Sequence, residues 1–407
     1  MMQWIKKTGP ATLIAAAFIG PGTVTLCSTA GVEFGLELLW VLVLAMLATI
    51  VLQEMAARLG IITGKGIASL VTTELQSKGL QRFLVVLILV AIVIGNAAYE
   101  AGNISGAIVG LEVLFGVQKL QLGTSLLNVW SVVVGGLVVL VLWVGNYKIL
   151  ERILMVAVGI MSVAFILTAI VIRPSITALL SGIALPSLPD GALWTLVGLI
   201  GTTIVPYNLF LHASLVSEKW KGASFLKAAR WDTVIAISLG GIVSMAIVIA
   251  ASAVESSGVE TVMDLAESLR PVFGDFATYL LAIGLVAAGV TSAITAPLAA
   301  AYVVNGCLGW NAGLQSRKFR WVWLVIVLLG VVFSTIGFEP ILIIRFAQIA
   351  NGILLPVIVA VLLWMVNQRQ LLGEHRNSRW QNFMGGLILL TSVFLGVKSI
   401  VSVLGLW

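Results

Sequence analysis

Ile19 to Gly31 reads IGPGTVTLCSTAG, inside an apolar run long enough to cross a bilayer. Two glycines flank Pro21, and four hydroxyl side chains follow within seven residues: Thr23, Thr25, Ser28 and Thr29. Proline removes a backbone donor and clashes with the preceding turn, so a helix is kinked or broken at this point. In hydrocarbon, irregular backbone is tolerated only where protein or water covers the freed amides and carbonyls. A second interruption, Gly201-Thr202-Thr203-Ile204-Val205-Pro206, lies in another apolar run further along the chain.

The surrounding composition is that of an integral membrane protein. Of 407 residues, 60% are apolar and 10% charged, and the mean hydropathy is +1.12; soluble chains carry about 25% charged residues. Taking apolar runs of about 18 to 25 residues as spans gives eleven, near 11-33, 36-58, 83-115, 124-146, 152-172, 191-216, 233-253, 276-307, 320-337, 341-366 and 383-404. They follow one another with short connections, which reads as one polytopic domain over 1-407.

The net charge of +6 could point to nucleic acid or acidic partners, so placement decides. With a cytoplasmic amino terminus, Lys6, Lys7, Arg58, Lys65, Lys78, Arg82, Lys148, Arg152, Lys219, Lys221, Lys227, Arg230, Arg317, Lys318, Arg320, Arg369, Arg376 and Arg379 lie at inner ends and loops, 18 of the 23 basic residues. Lys119, Arg173, Arg270 and Lys398 fall at outer ends, and Arg345 near the start of a span. Positive charge is concentrated inside, as topology requires. The basic balance is therefore no nucleic-acid footprint, and a bacterial inner membrane is the expected location. Glu255, Glu260, Asp264 and Glu267 cluster in the loop after the seventh span, on the outer side. Lys6 and Lys7 also resemble the start of a signal peptide, but no small-residue cleavage site ends the run and ten spans follow. Cys27 and Cys307 lie toward opposite faces, so no disulfide is expected, and the sequence has no metal-ligand spacing.

The two breaks fall in the first and sixth spans. An odd-numbered unit of five, repeated immediately, enters the membrane upside down, which is the inverted-topology repeat of secondary transporters. One break alone reads as a proline kink. Two at matched positions, each beside hydroxyl or amide side chains, point to a substrate site near the midplane. The expected architecture is all-α, with repeat one at about 11-173, repeat two at about 190-366 and an extra helix at about 381-404.

Several segments then resemble the Nramp (natural resistance-associated macrophage protein) type of metal transporter, over almost the whole chain. The family's second helix ends in "LLQ" and "SARLGIVTG"; here stand Val51-Leu52-Gln53 and AARLGIITGKGIA from Ala56. Its sixth carries "MPHNLYLHS", against VPYNLFLHA at Val205 to Ala213. Gly284 to Gly306 is similar to its eighth helix and Phe346 to Glu374 to its tenth and the loop after it. The resemblance implies a LeuT-like inverted repeat of five plus five helices with an eleventh, helices 1 and 6 broken.

It also implies a substrate site made of Gly20, Pro21, Gly22, Thr23, Thr202, Thr203, Val205, Tyr207, Asn208 and Gln348. Here the chain departs from the family. The first-helix signature Asp-Pro-Gly-Asn is Gly20-Pro21-Gly22-Thr23, Val205 stands for the family's methionine and Tyr207 for the histidine after it. The carbonyl at Thr202 and the amide of Gln348 are the ligand positions with counterparts. Manganese and iron sites use anionic oxygen donors, and a thioether adds selectivity against hard ions. Magnesium gives up water reluctantly. The second half of a broken helix also points its positive end at the site. With Gly20 in place of the aspartate, amides after both breaks are expected to be free for an anion.

Three ionisable residues bear on that reading. Arg345 lies one turn before Gln348 and is a possible anion contact, or else an interfacial arginine paired with Glu339. Glu100, in IGNAAYEAGNISGAIVG, falls where the family has an aspartate, with Asn103 at the position of its glutamate. A carboxylate inside a span is by default functional, here a proton carrier, with a structural acid as the alternative. His212 matches the family's second histidine and is the other proton-coupling candidate. Glu54 reads as a gate or a packing partner, Glu33 and Glu37 as vestibule residues, and His375 as a solvated loop residue. No cofactor is expected. Two histidines on different elements and no phosphate loop support neither a catalytic centre nor an ATP-driven pump.

The sequence therefore points to a proton-coupled secondary transporter favouring a small anion or carboxylate, of bicarbonate size, over transition metals. The alternatives are a divalent cation transporter (manganese, iron or magnesium type) with an atypical site, and a receptor that kept the fold without transport.

Overall fold

The computed structural model describes residues 19–74, 77–122, 125–145, 148–254, 259, 261–310, 312–335 and 339–403. Lys6, Lys7, the start of the first span, Glu255 and Glu260 lie outside the described residues. Among the described residues, nine helices are long and apolar enough to cross a membrane, and Val129–Val144 is a shorter apolar helix. Together with the helix from Pro21, these occupy the eleven expected spans.

In chain order the elements are α1 (Pro21–Phe34), α2 (Leu39–Thr63), α3 (Ile67–Glu74), α4 (Lys78–Phe115), the hairpin β1 (Lys119–Leu122) and β2 (Ser125–Asn128), α5 (Val129–Val144), α6 (Lys148–Ile172) and α7 (Ile176–Ala184). The second half runs α8 (Leu193–Thr203), α9 (Pro206–Lys219), α10 (Leu226–Ala251), α11 (Val262–Glu267), α12 (Arg270–Phe273), α13 (Phe276–Cys307), α14 (Arg317–Thr335), α15 (Pro340–Val366), α16 (Arg369–Leu372) and α17 (Arg379–Val403). The fourth span is shorter than expected. Its first apolar residues pair in the hairpin, Leu120 against Leu127, and the Asn128 side chain caps α5 by accepting from the Trp130 amide.

Both broken spans restart in the same way. α1 and α9 are each 14 residues long with proline at the first turn, after an extended residue, Gly20 (ψ 178°) or Val205 (ψ 115°). Proline is pre-shaped for that position and lacks the amide that would be left unbonded there. α8 ends at Thr203, so Ile204 and Val205 form the non-helical link of the sixth span.

The centre is held by α1, α4, α8, α9, α13 and α15. Apolar tails compete equally well for apolar side chains in a membrane, so close approach at small residues carries the packing. Gly106 of α4 lies directly on the Pro21 ring, and Gly201 of α8 lies on the Gln348 carbonyl of α15. At the far end of α2, Arg58 donates to the His375 carbonyl and to Asn377 Oδ1, both at 2.6 Å. It also pairs with Glu54 at 3.2 Å, and Arg230 of α10 reaches the same carboxylate at 2.9 Å. Glu54 is thus a tie between α2, α10 and the segment after α16.

Gly201→Ala places a methyl against a backbone oxygen that cannot move without shifting α15. A loss of about 1–3 kcal/mol is expected, read as a lowered midpoint of thermal unfolding in detergent. Gly136→Ala, on an α5 glycine facing open space, is expected to leave the midpoint unchanged or raise it slightly.

Candidate ion-binding site

The two breaks meet. Thr23 Oγ1 of α1 and Thr202 Oγ1 of α8 lie 2.9 Å apart, both buried, joining the halves of the molecule by a hydroxyl pair. Gly22 lies against the Gln348 side chain, which a larger residue there would have to displace. Gln348 is buried and its Oε1 has no hydrogen-bond partner; the same holds for Asn208 Oδ1, Thr203 Oγ1 and the Tyr207 hydroxyl. Tyr207 packs edge-on against Tyr99 of α4, with centroids 5.2 Å apart, a contact worth about 0.5–1.5 kcal/mol beyond its burial. Thr49 of α2 donates to the Thr203 carbonyl at 3.2 Å and to the Ala45 carbonyl at 2.7 Å, satisfying part of the backbone that the sixth-span break sets free.

The amides after the breaks are less open than the sequence implied. The Thr23 and Val24 amides return to the Gly20 carbonyl at 3.1 and 3.2 Å, and the Asn208 amide to the Val205 carbonyl at 3.1 Å. Proline supplies none. Each half-helix start therefore has one early amide, of Gly22 or Tyr207, outside these bonds. The unpartnered atoms beside them are mainly acceptors or hydroxyls.

Gly20, Pro21, Gly22, Thr23, Thr202, Thr203, Val205, Tyr207, Asn208 and Gln348 are all buried. The three ionisable candidates pack on different helices. Glu100 is fully buried on the flank of α4 that packs on Gly330 of α14. Neither of its oxygens completes a hydrogen bond, Asn103 one turn on being the amide that reaches toward it. Among the described residues no cation pairs with it. His212 points to α2, where its Nδ1 lies 2.6 Å from Gln53 Oε1.

Arg345 is engaged near the C-terminal end of α1. Its Nη2 donates to Thr29 Oγ1 at 2.9 Å and to the Val259 carbonyl at 2.8 Å, and Glu33 Oε1 lies 3.7 Å away. The partner is Glu33 rather than Glu339, because Arg345 faces α1 across the bundle. Glu37, the other outer acid, accepts from Ser187 at 3.3 Å. Sequence reading passed over Thr49, Gln53 and Tyr99 as site residues. Thr49 and Gln53, four apart on one face of α2, were the available signal. Among the described residues no group of three or more His, Cys, Asp or Glu could hold a metal ion.

Two spans broken at matched positions, with polar residues of both meeting in the buried centre, define a secondary transporter of the inverted-repeat, LeuT-like class. Solved structures share that fold. The Eremococcus coleocola manganese transporter (mutant H236A) aligns with a TM-score of 0.77 at 22% identity, over 97% of this chain and 86% of that one. The transporter MhsT in complex with L-phenylalanine aligns at 0.62 and 14%, over 95% and 98%.

Within that class the chain belongs to the natural resistance-associated macrophage protein family, which matches residues 11–402. The divalent metal cation transporter MntH of Klebsiella pneumoniae (strain 342) is 30% identical over 394 residues, 95% of this chain and 92% of that protein. MntH of Aeromonas hydrophila is 29% identical over 405 residues, 97% and 95%. The chain is thus an ion-carrying secondary transporter and not an enzyme.

Arg345 holds Thr29, the neighbour of the buried Ser28, near the end of α1. With Cys27 and Cys307 replaced by serine, Ser28→Cys is expected to react slowly with an aqueous maleimide. Adding Arg345→Gln is expected to raise the labelling rate about tenfold, the loss of roughly 1.4 kcal/mol of closure, with stopped-flow or gel-shift kinetics as the readout.

Proposed function

We propose that this transporter carries a divalent cation, taken with part of its water, between the two breaks, and couples its movement to protons. The reading rests on one observation: the buried polar atoms left without partners around the break include the side-chain carbonyl oxygens Gln348 Oε1 and Asn208 Oδ1. These accept and cannot donate, as a cation requires. The names of relatives aligned over nearly their whole length support the same class of substrate.

The site supplies neutral donors alone: amide oxygens, the Thr23 and Thr202 hydroxyls, and backbone carbonyls. Without a carboxylate or thioether at Gly20 or Val205, it offers neither the anionic nor the soft donor by which transition metals are selected. An ion bound this way keeps several waters. The positive ends of α1 and α9 oppose a cation, and the capping carbonyls of Gly20 and Val205 moderate that field. The charge that compensates is placed on Glu100, beside Tyr99, whose ring touches Tyr207. A proton on Glu100 and an ion at the break then affect each other's binding by the same factor in both directions.

The anion reading has its own observation, since neither α1 nor α9 has an acid in its first turn. Uptake into proteoliposomes separates the two. Manganese, magnesium or calcium is expected to be taken up, with the three competing and Gln348→Leu weakening uptake about tenfold or more, roughly 1.4 kcal/mol. Uptake of labelled bicarbonate that these cations do not inhibit would overturn the cation reading. Glu100→Gln is expected to flatten the pH dependence, and unchanged pH dependence would remove Glu100 from coupling.

A further inference from the structure

We infer that Gln53 is a positioning residue that fixes His212 as the tautomer with hydrogen on Nδ1, leaving Nε2 as a buried proton acceptor. The inference rests on the proton-coupling reading for its role, and on geometry alone for the tautomer. Gln53 Oε1 and His212 Nδ1 lie 2.6 Å apart, and both residues are buried. An amide oxygen only accepts, so Nδ1 must carry the hydrogen. In the neutral ring the lone pair then sits on Nε2. That atom is buried and has no partner. Leaving an acceptor unsatisfied is costly, and a merely structural histidine bridging α2 and α9 gains nothing from it.

The helices packed against α9 are α2, α3, α4, α13 and α15. Their titratable groups are engaged elsewhere or stand apart from the imidazole. On α2, Glu54 and Arg58 pair with each other and Glu54 with Arg230. On α4, Tyr99 lies on Tyr207 and Glu100 on Gly330. Glu74 of α3 pairs with Lys65, Tyr302 of α13 bonds Glu218 of α9, and Arg345 of α15 is held at Thr29. Lys219 ends α9, over the Trp220 ring. Among the described residues Gln53 is the partner that decides which ring nitrogen holds the hydrogen.

The chain has two histidines, which makes the tautomer directly readable. In protein labelled with 15N-histidine, His375→Gln removes the loop imidazole while keeping its backbone carbonyl, so the remaining nitrogen signals belong to His212. A protonated Nδ1 and a lone-pair Nε2 are expected. Gln53→Leu is expected to lose that bias and Gln53→Glu, another pure acceptor, to retain it. In proteoliposomes Gln53→Glu is expected to displace the midpoint of the pH profile of transport by about one unit or more, as a charge at this range does. A hydrogen on Nε2 in the parent protein, or a tautomer unmoved by Gln53→Leu, would overturn the assignment. If Gln53→Leu does not fold, the parent spectrum and Gln53→Glu still decide. A tautomer as assigned with a flat pH profile supports the placement of the hydrogen and overturns the coupling reading instead.

Discussion

A backbone group released inside the hydrocarbon has no water to turn to, and each one left bare costs several kcal/mol. Two such releases, at Gly20 and at Ile204-Val205, set the terms for everything around them. Proline at the first turn of α1 and α9 removes one donor at each restart, the capping carbonyls take up the next amides, and Thr49 reaches from α2 to the Thr203 carbonyl. What these devices leave without partners are Thr203 Oγ1, Asn208 Oδ1 and Gln348 Oε1. The site is the remainder of a backbone-satisfaction problem that spans the two halves of the fold.

The same constraint explains the small residues at the centre. Gly22, Gly106 and Gly201 are where Gln348, the Pro21 ring and the α15 backbone press in. Each contact lets a polar side chain or an irregular stretch be covered by protein rather than lipid. The hydroxyl pair of Thr23 and Thr202 contributes about 0.5–1.5 kcal/mol net, too little to lock the halves together. It is a contact that an ion can displace.

The architecture was legible because paired breaks and charge placement are properties of the chain itself: Pro21 and Pro206 each open a half-helix, and the basic residues sort by side. The site was legible only in part. Sequence places Thr23 and Thr202 in the two breaks, but not whether the neighbouring amides are open, and there the anion expectation lost its support. Helical spacing gave Arg345 a face, not a partner. Its partners, Thr29, Glu33 and the Val259 carbonyl, sit on elements remote in sequence. For Gln53 the signal was present, a polar residue in an apolar span, yet its meaning depends on His212, 159 positions away.

Glu100 packs on α14 through Gly330 and His212 bonds α2 through Gln53. In the proposed coupling, packed contacts link them to the break, Tyr99 on Tyr207 for the carboxylate and the body of α9 for the imidazole. α9 carries both Asn208 at the break and His212 one turn further on. A movement of that half-helix that remakes the coordination of the ion must also strain or break the 2.6 Å bond to Gln53. In the proposed coupling, the imidazole follows the position of α9 through this bond.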